Sequence, residues 1–343
     1  MKTFDELAIA PEIIRAIVEL GFEKPMPVQE QVIPHLLNKE TDIIALAQTG
    51  TGKTAAFGLP VIQQINLENK NPQVLIMCPT RELCMQITND LTDYSKYIGG
   101  LRVLPVYGGS SMETQIRGLQ KGVHIIVATP GRLIDLIGRK VVKLNSISKV
   151  ILDEADEMLN MGFAESIDEI LAQLPAKRNT LLFSATMPPE ISKIAKKYMN
   201  DPVEVTIGRK NEGAENIKHV CYMVHAKDKY LTLKRLADYY PSIYGIVFCR
   251  TRRETQEIAD KLIADGYNAE ALHGDLSQAQ RDSVMQKFRY KSIQLLVATD
   301  VAARGIDVDD LTHVINYNLP DDPSAYTHRS GRTGRAGKAG ISL

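Results

Sequence analysis

The stretch Asp42–Thr54, DIIALAQTGTGKT, decides the fold. It opens on a short apolar run, Ile43 to Ala47, with the length and composition of a buried parallel strand. The run breaks at Gln48-Thr49-Gly50-Thr51-Gly52 and resumes as Lys53-Thr54-Ala55-Ala56-Phe57, residues suited to a helix start. Strand, glycine-rich turn and helix, in that order, predict a phosphate-binding loop. Glycines at 50 and 52 let backbone N–H groups turn inward around an anion, and the following helix aims the positive end of its dipole at it. Lys53 would then reach the outer phosphates and the Thr54 hydroxyl a Mg²⁺ ion. The pattern G-x-x-x-x-G-K-[ST] is met except at its first position, Ala47. Taken alone, the stretch also suits a glycine-rich turn that holds no ligand.

From this strand to residue 206, apolar runs alternate with helical patterns. The runs are Val74–Cys78, Arg102–Tyr107, His124–Ala128, Lys149–Leu152, Thr180–Phe183 and Val203–Thr206. Such alternation predicts a parallel sheet covered by helices on both faces, with ligands at the carboxyl ends of its strands. Polar groups fall at those ends. Pro79-Thr80-Arg81-Glu82-Leu83, Gly108-Gly109 and Thr129-Pro130-Gly131-Arg132-Leu133 each offer hydroxyls, an arginine or glycine N–H groups suited to sugar and phosphate. Singly, each also reads as a turn or helix cap.

Asp153-Glu154-Ala155-Asp156 follows the apolar Val150-Ile151-Leu152. A carboxylate pair there can divide two jobs: Asp153 holds Mg²⁺, directly or through water, and Glu154 orients and deprotonates the attacking water. An acidic helix N-terminus is the competing reading, and Lys53-Thr54 upstream favours the metal. Ser184-Ala185-Thr186 closes another strand and either links the carboxylates to the rest of the sheet or caps the next helix.

Before the loop, residues 1–40 read as two helical segments around GFEKPMPVQ, Gly21–Gln29, where Gln29 could present its amide to a purine edge. After the sheet, residues 207–216 are polar, glycine-bearing and without apolar period, and read as a linker. The alternation then restarts with His219–Val224, Gly245–Phe248, Asn268–Leu272, Ile293–Ala298 and Thr312–Asn316, a second parallel α/β domain without a phosphate loop. It ends in His328-Arg329-Ser330-Gly331-Arg332-Thr333-Gly334-Arg335. On one helical turn Arg332 and Arg335 would share a face and complete a neighbour's nucleotide site, as arginine fingers do; an RNA-phosphate patch or a basic surface turn also fits the motif.

At 343 residues the chain is long enough for two cores, since single cores stop growing near ~250 residues. No run of about 18 apolar residues is present, so no membrane span is expected, and cytoplasmic residence is. The formal net charge is zero, which removes any case for nucleic acid from bulk charge. From residue 207 onward there are 20 Lys and Arg against 17 Asp and Glu, and before it 21 against 24, a weak complementarity that salt would screen. The four cysteines form no C-x-x-C pair; Cys78, Cys221 and Cys249 lie in apolar runs and are expected to be buried thiols.

Together these residues resemble the DEAD-box family of ATP-dependent RNA helicases over nearly the whole chain. Phe4 with GFEKPMPVQ resembles the Q motif; AQTGTGKT, PTREL, TPGRL, DEAD at 153–156 and SAT follow in family order, then IVFCRTR, HGDLSQAQR, VATDVAARGID and HRSGRTGRAG. The resemblance implies two tandem RecA-like α/β domains, 1–206 and 217–343, joined by the linker. It implies that Gln29 reads adenine, with Phe22 packing near the base and Lys24 lining its pocket. Gln48, Thr49, Gly50, Thr51, Gly52, Lys53, Thr54 and Ala55 would hold the phosphates, Gly305 and Asp307 the ribose side, and Arg332 and Arg335 the γ-phosphate. Asp156, Ser184, Thr186 and His328 would couple hydrolysis to RNA. RNA would run over Pro79, Thr80, Arg81, Gly109, Thr129, Gly131, Arg132, Arg250, Gly274, Thr299 and Asp300, with little base specificity. The cofactors implied are ATP and Mg²⁺, the partners single-stranded and duplex RNA.

Two departures from the family pattern stand out. Position 250 is Arg where many members carry Asn, in a motif that touches RNA. Ala339–Leu343 looks like a strand start without the helix that usually follows, so the second domain is expected to be cut short, with a tail that would recruit protein partners outside it. An ATP-gated RNA clamp is the rival reading. A GTPase switch fits poorly, because Asn38-Lys39-Glu40 precedes the loop, the wrong side for a guanine-reading element.

Overall fold

A computed structural model describes residues 2–38, 41–48, 50–207, 216–303, 308, 310–334 and 338–343. Two compact units divide the chain, Met1–Asn211 and Glu212–Leu343. Each is a parallel sheet wrapped by helices.

In the first unit, α1 (Pro11–Glu19) and α2 (Pro27–Asn38) precede β1 (Ile43–Leu46) and α3 (Lys53–Gln63). Then come β2 (Val74–Met77), α4 (Arg81–Tyr94), β3 (Val103–Val106), α5 (Met112–Gln120), β4 (Ile125–Ala128) and α6 (Pro130–Gly138). The unit closes with β5 (Lys149–Leu152), α7 (Ala155–Asn160), α8 (Ala164–Ala172), β6 (Asn179–Ser184), α9 (Pro189–Tyr198) and β7 (Val203–Thr206). The strand order is β3-β4-β2-β5-β6-β1-β7, with every pairing parallel.

Alternation along the strands explains the two-sided core. Ile43 and Ala45 face one hydrophobic cluster, with Ile76, Ile151 and Phe183, under α1 to α4. Ile44 and Leu46 face the other, with Leu75, Met77 and Leu152, under α6 to α9. Both faces being covered, the strands read as unbroken apolar runs. Asp42 staples the amino ends: its carboxylate accepts the backbone N–H groups of Thr180 and Asn200, each at 2.7 Å, across three strands.

The second unit runs β8 (Ile217–His219), α10 (Lys229–Tyr239), β9 (Gly245–Phe248), α11 (Arg252–Ala264), β10 (Ala269–Leu272) and α12 (Gln278–Arg289). It continues through β11 (Leu295–Ala298), α13 (Asp300–Ala303), β12 (His313–Asn316), α14 (Pro323–Ser330) and β13 (Gly340–Ser342). The order is β10-β11-β9-β12-β13-β8, again with parallel pairing throughout. Gly245 opens the central β9 because a Cβ there would lie 2.4 Å from the His313 carbonyl oxygen on β12.

Three expectations need correction. The strand expected over His219–Val224 is Ile217–His219, paired with Gly340–Ser342 of β13, and the next N–H, of Val220, donates to the Ser342 carbonyl. Cys221 is therefore exposed, not buried, unlike Cys78, Cys84 and Cys249. The helix carrying the arginine motif stops at Ser330, and Gly334, at φ 69°, lies in the turn beyond, so Arg332 sits in a turn and not on a helical face. The greater part of the linker, with Thr49, Gly305, Asp307 and Arg335, lies outside the described residues.

Candidate active site

In the first sheet the carboxyl ends of β1, β5 and β6 form the chemical centre. Gly50 and Gly52 take φ 82° and 84°, the left-handed region, and the loop closes on itself through the Thr51 hydroxyl, which donates to the Gln48 carbonyl at 2.7 Å. Lys53 opens α3 at 7% exposure. Its Nζ donates to the Ala47 carbonyl at 3.2 Å and lies 3.9 Å from Asp153 Oδ1.

Asp153, just past the end of β5, is buried. Burial pushes its carboxyl up to about 6, opposed by the Lys53 ammonium and reinforced by the Glu154 carboxylate. Glu154 takes φ 50°, ψ 50°, at the start of α7, a left-handed backbone that is strained for a residue with a Cβ and aims the side chain off the strand end. Its N–H donates to Asp153 Oδ1 at 3.0 Å, and its Oε2 is buried with no hydrogen-bond partner among the described residues. Asp156 Oδ2 accepts from both the N–H and the hydroxyl of Thr186, at 2.9 and 2.8 Å, and Ser184 Oγ donates to the Thr186 carbonyl at 2.6 Å. Of the two readings of Ser184-Ala185-Thr186, a link to the carboxylates or a helix cap, the geometry has the link, with the DEAD and SAT segments hydrogen-bonded directly.

Gln29 is 2% exposed in the first turn of α2. Its Oε1 accepts from the Met26 N–H at 2.9 Å and its Nε2 donates to the Gly52 carbonyl at 3.1 Å. Among the described residues one amide N–H and one lone pair remain, the pair a purine edge needs. Gly52 must lack a side chain here, since a Cβ would come within 2.6 Å of Gln29 Nε2 and 2.8 Å of Met26 Sδ. Phe22 packs between Phe4 and Tyr94, and Lys24 is exposed. A left-handed glycine cradle, a buried ammonium and an unpaired buried carboxylate oxygen suit a phosphate chain with Mg²⁺; Thr54 and Asp153 would hold the ion.

The residues expected to meet RNA occupy the ends of β2, β3 and β4, farther along the same edge. Thr80 caps α4 through its hydroxyl, which accepts the Leu83 N–H at 3.2 Å, and Pro79 is buried beside it. The Arg81 guanidinium lies 5.0 Å from the Tyr107 ring centroid. Gly109 and Gly131 are exposed, and Thr129 precedes α6. Arg132 donates to the Ser110 carbonyl at 3.1 Å and to Gln115 Oε1 at 3.2 Å; Gln115 in turn donates to the Tyr107 carbonyl at 3.0 Å. Gln115, 3% exposed, shapes the glycine loop and was missed because a glutamine in a polar helix reads as solvated.

In the second sheet, Arg250, Gly274, Thr299 and Asp300 follow β9, β10 and β11, three adjacent strands. The Arg250 guanidinium donates to Asp321 at 2.9 Å and its backbone N–H to Asn318 Oδ1 at 3.1 Å. Thr299 caps α13, its hydroxyl accepting the Ala302 N–H. Asp300 is clamped by Arg329, at 2.5 and 2.6 Å, a residue to which sequence gave no role. Arg332 is 5% exposed, and His328 sits on α14.

Residues 26–194 match the DEAD/DEAH box helicase family and 228–337 the helicase conserved C-terminal domain. The chain is 50% identical over 343 residues to the DEAD-box ATP-dependent RNA helicase CshA of Geobacillus kaustophilus, covering 100% of this chain and 73% of that one. Among solved structures, S. cerevisiae Dbp5 bound to RNA and ADP BeF3 matches with TM-score 0.89 and 33% identity, over 100% of this chain and 88% of that one. Mss116p bound to ssRNA and AMP-PNP matches with TM-score 0.89 and 29% identity, over 99% and 74%. The chain therefore belongs to the DEAD-box family of ATP-dependent RNA helicases.

Proposed function

We propose that the chain hydrolyses ATP in response to single-stranded RNA and uses that cycle to separate short RNA duplexes locally and to remodel RNA–protein complexes. The observation that carries this reading is the bond of Asp156 to Thr186, itself held by Ser184, which ties the acidic segment to the neighbouring strand of the edge where the expected RNA residues also lie.

The free donor and acceptor of Gln29 select adenine, and Lys53 with the loop N–H groups holds the outer phosphates. Mg²⁺, when bound by Thr54 and Asp153, partly through water, neutralises charge on those phosphates. Glu154 Oε2 accepts the proton of the attacking water, its role prepared by having no partner of its own. Arg332 and Arg335 from the second unit supply positive charge to the γ-phosphoryl group, with Gly305 and Asp307 at the ribose, so turnover requires both units on one nucleotide. Asp156, Ser184, Thr186 and His328 pass the nucleotide state to the RNA edge. Thr80, Arg81, Arg132, Gly109 and Gly131 in one unit, and Arg250, Gly274, Thr299 and Asp300 in the other, hold phosphates and 2′-hydroxyls, which gives RNA preference without sequence reading. Residues 207–216 are the linker between the units. The cytoplasm, a reducing compartment, suits the buried thiols Cys78, Cys84 and Cys249.

The test is ATP hydrolysis with and without single-stranded RNA, with DNA of the same sequence as control, followed by a short-duplex unwinding assay. Stimulation by RNA alone, with strand separation, is expected. Absence of stimulation with ATP still bound overturns the reading, and stimulation without strand separation replaces it with an ATP-gated clamp.

A further inference from the structure

Arg329 is 4% exposed at the end of α14, and four of its five guanidinium donors are spent on three residues of two separate segments. Nε and Nη2 grip both oxygens of Asp300, at 2.5 and 2.6 Å, just past the end of β11. Nη1 donates to Asn316 Oδ1 at 3.0 Å, the last residue of β12, and to the Asn318 carbonyl at 2.7 Å. The guanidinium carbon also lies 4.9 Å from the ring centroid of Phe248, the last residue of β9. One side chain thus bridges the carboxyl ends of β11, β9 and β12, which are neighbours in the sheet.

The bridge reaches further in both directions. Asn318 accepts the Arg250 N–H through Oδ1 and donates to Glu254 through Nδ2, at 3.1 and 3.3 Å. On the other side the Arg332 N–H donates to the Arg329 carbonyl at 3.0 Å. A planar fork matches Asp300 and the two asparagines at once, which a lysine ammonium cannot.

We infer that Arg329 is a positioning residue that fixes Asp300 and the backbone of Arg250 in register with the turn carrying Arg332, so that the RNA edge of the second unit and its arginine turn move as one piece. This rests on the RNA-stimulated ATPase reading above. Arg329 touches neither nucleotide nor RNA in this assignment; it acts through Asp300 and Asn318.

The test uses the full chain and its Arg329→Lys variant, with oligo(U) RNA as probe. The RNA concentration for half-maximal ATPase stimulation is expected to rise about tenfold, because a lysine keeps the charge but cannot grip Asp300 and the asparagines at once, while KM for ATP without RNA stays at the parental value. Asn316→Ala, which removes one acceptor and leaves the Asp300 clamp, should raise the same RNA concentration about threefold and serves if Arg329→Lys does not fold. Combined with Asp300→Asn, Arg329→Lys should add clearly less than its own tenfold, because the two variants share the Asp300 contact and only the bonds to Asn316 and Asn318 remain to be lost. If the parent is stimulated and the variants keep its RNA dependence, or the double variant is additive, the inference fails alone. An ATP KM without RNA that shifts together with the RNA dependence reduces Arg329 to a structural support and also overturns it. A parent that RNA does not stimulate fails the functional reading itself.

Discussion

Asp153 and Asp300 occupy the same place in two sheets of the same kind, just past the carboxyl end of a parallel strand, and are treated in opposite ways. Asp153 is enclosed with the Lys53 Nζ at 3.9 Å, and burial pushes its carboxyl up to about 6. Asp300 is gripped on both oxygens by a buried guanidinium. The first arrangement leaves charge capacity open for a cation and a phosphate chain to complete. The second is already neutralised and rigid, suited to holding a shape. In the proposed function, one sheet edge reacts and the other is held in place.

The largest effect should come from the reactive edge. Glu154→Gln removes the unpaired Oε2 as proton acceptor and leaves Lys53 and Asp153 intact, so kcat for ATP should fall about 10²–10⁴-fold while nucleotide binding, read by fluorescent-ATP titration, is retained. A variant that turns over at the parental rate would remove Glu154 from its role and much of the contrast with it.

Asp90 on α4 separates burial from function. It is half-buried, and desolvation first, then the Asp93 carboxylate, push it up to about 6. Its folded pKa lies above the ordinary 3.8, so the folded chain binds the extra proton. Its contribution to stability is full below pH 4 and is lost as pH rises through about 6. Asp90→Asn should therefore stabilise the chain at pH 7, by at most about 3 kcal/mol, and flatten its stability between pH 4 and 6 in urea titrations. No gain at pH 7 would show that raised carboxyls in this unit are not simply a cost of burial.

Thr186→Val probes the coupling at smaller scale. It deletes the hydroxyl donor to Asp156 Oδ2 and leaves the Thr186 N–H bond, so the loss of stability should be about 1–2 kcal/mol. Strands separated per ATP should fall more than ATP turnover does. Equal losses in both would make the contact structural.

Much of the edge chemistry was legible because parallel strands buried on both faces are unbroken apolar runs, and their polar carboxyl ends follow at once; Ile43–Leu46, Val74–Met77, Ile125–Ala128 and Gly245–Phe248 all lie within runs that stand out this way. Arg329 was not legible. Its partners stand at 300, 316 and 318, brought together only by the order β11-β9-β12, which local pattern does not encode. Gln115 hid for the same reason: its partners are a carbonyl at 107 and an arginine at 132. The arginine turn misled through spacing, since three residues apart means one face only while a helix continues, and this helix ends at Ser330.

The smallest effect concerns the one strand whose position the sequence misplaced. Val220–Val224 is apolar enough to read as a strand, yet β8 covers Ile217–His219 and the apolar run lies past its pairing with β13. Tyr222, Met223 and Val224 are left 49%, 93% and 42% exposed, and Cys221 with them. A thiol reagent should accordingly modify one of the four cysteines rapidly in the native chain and all four in denaturant, with the fast site mapping to Cys221. Cys221→Ser should leave stability within about 0.5 kcal/mol of the parent, as an exposed substitution does. A slow native reaction at all four thiols would mean that the run is covered, and that here the apolar pattern described the strand better than the pairing does.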